Sequence, residues 1–86
     1  MFVVLVYDIN HKRVGKVLKT CRKYLVRVQR SVFEGRISES KLERSKKELD
    51  RIINVNEDTI CIYKMDSVKY ILKEQIGIIE DNSKII

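Results

Sequence analysis

The sequence predicts a small α+β sandwich, with one sheet carrying two helices on a single face. Three observations carry that expectation. Strand-like and helix-like segments alternate along the chain, the strand-like runs are β-branched and strongly apolar, and no proline, linker, repeat or low-complexity tract interrupts the 86 residues. A chain this short buries a smaller share of its surface than a larger one, so association is a natural way to complete its core.

Residues 2–9 (FVVLVYDI) form a continuous apolar run, the pattern of a central strand buried on both faces, with Asp8 at its C-terminal end. Val14, Val17, Leu18, Cys21 and Leu25 then recur at three- and four-residue steps, the stripe of a helix whose other faces carry Lys12, Lys16, Lys19, Arg22 and Lys23. Residues 27–37 (RVQRSVFEGRI) read as strand, either bent or folded into a tight hairpin. Ser40 followed by Glu43 is a capping-box pattern, with Ser38 as a rival cap. Leu42, Leu49, Ile52 and Ile53 give the stripe of a second helix ending near Asn54, with a solvent face that alternates in sign. Residues 59–65 (TICIYKM) are a further strand, and after a mixed stretch residues 76–79 (IGII) suit a brief edge strand.

That order, with a helix twice linking elements of one sheet, is a ferredoxin-like βαββαβ arrangement with a short extra C-terminal strand. No third helix is available for the second sheet face, so that face is expected to be the interface of a two-fold dimer.

Composition narrows the function classes. A hydrophobic fraction of 44% and a charged fraction of 35% describe an ordinary globular domain. No apolar run approaches the length of a membrane span, and residues 1–6 lack a basic leader or a small-residue cleavage site, so the expected location is the cytoplasm, away from membranes. Cys21 and Cys61 have no second Cys or His at ligand spacing, which leaves both as reduced, buried, small hydrophobes. The net charge of +6 is uneven. Residues 11–36 carry nine Lys or Arg against Glu34 alone, a local charge of +8. Such a block reads either as a footprint for phosphate backbones or as a solvated helix face.

Residues 6–9 (VYDI) at the end of the first strand, followed after the first helix by R-x-Q-x-S-V-F-E-G over residues 27–35, resemble the CRISPR-associated protein 2 family. The resemblance runs through residues 1–65 and more loosely through the tail. It implies a single domain over residues 1–86 whose tail, 67–86, holds a strand exchanged between protomers. It further implies a homodimer that partners a CRISPR integrase subunit on duplex DNA in spacer acquisition. Members are also described as metal-dependent endonucleases, on single-stranded RNA in some and double-stranded DNA in others, and an independent, toxin-like endoribonuclease is the alternative role.

Asp8 is the residue the resemblance singles out. A carboxylate closing a buried strand is costly to desolvate, and acids of that kind cluster at functional sites. In the family the matching aspartates of both protomers share one divalent ion, and Mg2+ suits a site with only one or two protein carboxylates because it keeps most of its waters. The resemblance adds Arg27, Ser31 and Phe33 as catalytic candidates, although plain packing is the simpler role for Phe33. Arg13, Lys16, Lys19, Lys23 and Arg27 are the nucleic-acid-binding candidates. His11 is read as a lone loop histidine and Tyr7 as a core residue with its hydroxyl satisfied at the rim.

Overall fold

The computed structural model describes residues 1–66 and 72–77. Six elements follow in order: β1 (Phe2–Asp8), α1 (His11–Arg22), β2 (Val26–Gln29), β3 (Val32–Arg36), α2 (Glu39–Ile52) and β4 (Thr59–Met65). The strands make one antiparallel sheet in the order β2-β3-β1-β4, the ferredoxin-like arrangement. Residues 27–37 form a hairpin, turning at Arg30 and Ser31. The β1–β3 ladder runs past the strand ends, since Tyr7 N donates to Ser31 O at 3.1 Å and Ile37 N to Met1 O at 2.9 Å. The β2–β3 register shifts between Arg27 and Gln29, a bulge that leaves Val28 without a partner across the hairpin.

β1 is central in the sheet, and the described residues cover mostly one of its faces, although Phe2 at the start of the opposite face is buried. Val3, Leu5 and Tyr7 point to the helices and are buried, whereas Val6 and Asp8 on the opposite face are exposed. The uninterrupted hydrophobicity of residues 2–9 therefore exceeds what the two helices cover. The helix-side core joins these residues to Phe33, to Val17 and Cys21 of α1, to Leu42 and Leu49 of α2, and to Leu25 and Ile37 in the connections. Leu25 continues the apolar stripe of α1 but lies beyond the helix end at Arg22.

Asn10 caps α1, its side chain accepting from Lys12 N at 3.0 Å, and Lys19 and Arg22 sit in the last turn where the helix dipole favours cations. Ser38, not Ser40, caps α2: its extended backbone turns its Oγ toward Lys41 N at 3.2 Å, while Ser40 already lies inside the first turn. The cysteines also differ from expectation. Cys21 is buried in the core and its thiol is pushed up to about 12 by burial, but strand alternation places Cys61 on the open sheet face, where it is exposed.

The expected edge strand falls at residues 76–79. Ile76 and Gly77 have no regular structure, and residues 78 and 79 lie outside the described residues. Among the described residues no helix is long and apolar enough to cross a membrane.

The wholly buried Phe33 ring packs against Tyr7 at a centroid distance of 6.2 Å. Phe33→Ala is expected to cost about 3–5 kcal/mol, whereas Val55→Ala, at a position 74% exposed, should stay within about 0.5 kcal/mol. Urea midpoints at fixed protein concentration check both.

Candidate nucleic-acid interface

Asp8 ends β1 on the open face, opposite Thr59 of β4, and its exposed carboxylate makes no hydrogen bond or ion pair among the described residues. Val4 and Val6 precede it on the same face, with Tyr63 and Cys61 opposite them on β4. The face is thus an apolar surface with an acid at one end.

Beside Asp8 lies the β2–β3 turn, whose position is set by one long-range side-chain hydrogen bond from Tyr7 and two local ones from Arg27. The Arg30 carbonyl accepts from the Tyr7 hydroxyl at 3.0 Å and from Arg27 Nε and Nη2 at 3.2 and 2.8 Å. Tyr7 therefore has the expected role of a core ring with a satisfied hydroxyl, and burial raises its phenol pKa while the Arg27 cation opposes the shift. Arg27 fixes the turn, Ser31 occupies its tip half-buried, and Phe33 lies beneath in the core. The structure brings Asp8, Arg27 and Ser31 to the same end of the sheet.

One residue that sequence reasoning missed organises this end. The Asp58 side chain has no exposed surface. Its Oδ1 accepts from Asn10 N at 2.9 Å and Arg13 Nη2 at 3.1 Å, and its Oδ2 from Arg13 Nε at 2.6 Å and Asn54 N at 2.8 Å. Arg13 also pairs with Glu57 at 3.2 Å, and Asn10 Nδ2 donates to Glu57 at 3.1 Å. The β1–α1 connection that follows Asp8 is in this way tied to the loop before β4. The Arg13 hydrogen bonds hold the Asp58 carboxyl well below the usual carboxylate range; burial opposes the shift and the Asn10 and Asn54 amides add to it.

The cationic candidates differ in what they already hold. Arg13 is committed to Asp58 and Glu57, and Lys23 pairs with Glu48, which also accepts from the Tyr24 hydroxyl. Lys12, Lys16 and Lys19 are exposed along α1 with no ion pair among the described residues. They fit an electrostatic contact with phosphates, which needs no fixed partner. His11 is exposed at the first position of α1.

The described residues contain no group of three His, Cys, Asp or Glu able to hold a metal ion. Asp58 is ruled out as a ligand because both its oxygens are taken by donors. Asp8 offers an exposed carboxylate with no hydrogen bond or ion pair among the described residues, and one carboxylate with waters is within the chemistry of Mg2+, better satisfied by two.

The family model described as CRISPR associated protein Cas2 matches residues 1–71. Relatives named CRISPR-associated endoribonuclease Cas2 include those of Dictyoglomus turgidum, 47% identical, and Thermotoga maritima, 49% identical. Each alignment spans 78 residues, 91% of this chain and 90% of the relative. A solved structure described as the crystal structure of Cas2 superposes with a TM-score of 0.83 at 34% identity, covering 100% of this chain and 97% of the other. Streptococcus pyogenes Cas2 at pH 6.5 does so with 0.76 at 32% identity, covering 90% and 100%.

The depressed Asp58 pKa has a signed consequence for stability. The contribution of the ionised carboxylate is complete above its unfolded value, about 3.9, and is lost as pH falls below that toward the folded value. Wild-type stability is expected to drop below about pH 4 more steeply than that of Asp58→Asn, which is less stable at neutral pH and lacks this slope. Denaturant unfolding from pH 6 to pH 2 checks it, and equal slopes would contradict it.

Proposed function

The chain belongs to the Cas2 family of CRISPR-associated proteins, and we propose that it acts in CRISPR adaptation as a nucleic-acid-binding homodimer. The two copies join through their open sheet faces, and the dimer bridges integrase subunits on duplex DNA. The observation that carries this reading is the uncovered sheet face, on which Val6 is 36% and Tyr63 58% exposed. Apolar surface of that kind marks an association site. Leu72 and Ile76 of the tail are fully exposed in the lone chain, which favours a tail that completes its contacts on a second copy. The basic face of α1 supplies the phosphate contacts, with Lys16 and Lys19 as its open cations and Lys23 shared with Glu48.

A second reading, phosphodiester cleavage, is favoured by the unpartnered Asp8 carboxylate and by the endoribonuclease named in the relatives. Two copies joined by their open faces bring two Asp8 carboxylates to one site, and these would hold one Mg2+. When bound, that ion supplies charge neutralisation on a phosphate oxygen and a more acidic water. Arg27 offers positive charge at the rim and holds the turn in place. Ser31 offers a hydroxyl donor to a phosphate oxygen. Phe33 acts only as the support beneath Tyr7. The reading suits single-stranded RNA or duplex DNA, since only the backbone is contacted.

Asp8→Asn separates the two readings, because it keeps side-chain size and removes one negative charge per chain. Light scattering at micromolar concentration should give a dimer for both proteins, and a monomeric wild type would overturn the assembly. Duplex binding and spacer acquisition in cells should survive the substitution, while any RNA cleavage in magnesium should fall to background. Loss of acquisition with dimer and binding intact would place the nuclease reading first.

A further inference from the structure

By sequence α2 is nearly neutral, with five cations and four acids over residues 39–52. Folding sorts them. Leu42, Ser45 and Leu49 are buried and define the inward side, so at 3.6 residues per turn the outward crest is formed by Ser40, Arg44, Lys47 and Arg51. The acids lie on the flanks. Glu48 faces α1, where Lys23 and Tyr24 engage it; Glu39 reaches Lys64 of β4 at 3.4 Å; Glu43 pairs with Lys46 at 3.1 Å; and Asp50 stands on the same flank as Glu43. The cations consumed are Lys23, Lys64 and Lys46, none of them on the crest.

Arg44, Lys47 and Arg51 are exposed and make no hydrogen bond or ion pair among the described residues, although Arg44 lies close enough to Glu48 to favour its ionised form. Like charges at these spacings disfavour a helix slightly, and here the available acids are turned elsewhere. The α1 crest repeats the pattern with Lys12, Lys16 and Lys19. The Lys23 and Tyr24 contacts with Glu48 hold the two helices side by side. Both crests therefore belong to one positively charged layer on the side opposite the open sheet face.

We propose that the α2 crest, Arg44, Lys47 and Arg51, is a second surface for a nucleic-acid phosphate backbone, so that the bound strand or duplex lies across both helices. This deepens the nucleic-acid reading above and rests on it. The recognition is of charge alone, with no base discrimination.

The test uses full-length protein and a mixed-sequence DNA duplex, with affinity measured across a salt series. R44Q/K47Q/R51Q should weaken binding to all sequences alike and flatten the slope of log affinity against log salt by about 2.7 for one engaged helix, at roughly 0.9 per phosphate contact. K12Q/K16Q/K19Q should flatten it by a similar amount. The control K46Q/K64Q, which removes two cations away from either crest, should change the slope by much less. Far-UV circular dichroism confirms that each variant folds. An α2 variant whose slope matches wild type, or changes no more than the control, overturns the inference while an altered α1 variant leaves the nucleic-acid reading standing. If neither crest variant changes binding, both fall.

Discussion

The buried Asp58 carboxylate is the interaction on which the Asp8 end of the sheet depends. It collects two backbone amides and a bidentate Arg13 guanidinium, and so fixes the start of α1 against the loop that feeds β4. A buried ion pair is weak evidence for stability, because desolvation offsets much of the attraction. Its value here is geometric. With every acceptor position used, the loop after Asp8 has one arrangement, and the basic, dipole-positive start of α1 is balanced by Glu57 and Asp58. Arg13 thereby becomes part of the frame, whereas Lys12, Lys16 and Lys19 stay exposed with no ion pair among the described residues.

The second constraint is coverage. Two helices lie over one face of a four-stranded sheet, and β1 is apolar on both. Val3, Leu5 and Tyr7 satisfy the helix side; on the other side Phe2 is buried, Val4 is partly covered and Val6 is left exposed by the described residues, and Asp8 marks where that surface ends. The acid and the apolar face are products of the same strand alternation. Any partner that covers one must accommodate the other.

Both helices were legible from their apolar periodicity and the strands near 2–9 and 59–65 from their β-branched runs, whereas Asp8, which the sequence suggests as a carboxylate closing a buried strand, is exposed on the open face. The hairpin turn was not placed. Arg30 and Ser31 carry no Gly, Pro or Asn, and Ser is only a weak turn signal; the turn is held instead by Tyr7 and by Arg27, and the Tyr7 bond spans 23 positions. Asp58 was missed for a similar reason, since Arg13 lies 45 positions away. The only local signal was the polar cluster Asn54, Asn56, Glu57 and Asp58 just before a strand. The sign pattern of α2 misled in another way, because alternation along the sequence became segregation around the helix once Glu39 and Glu48 turned to neighbouring elements.

The two cysteines, alike in composition, are chemically unlike in the fold. Cys21 sits in the core with its proton held tightly, and Cys61 lies in water on the bare sheet face beside Val6, its contact raising the Tyr63 phenol pKa. Thiol reagents act on the accessible thiolate, so a maleimide or spin label would attach at one position without any engineered change. The molecule thus supplies its own reporter, midway along the edge strand β4 on the open sheet face.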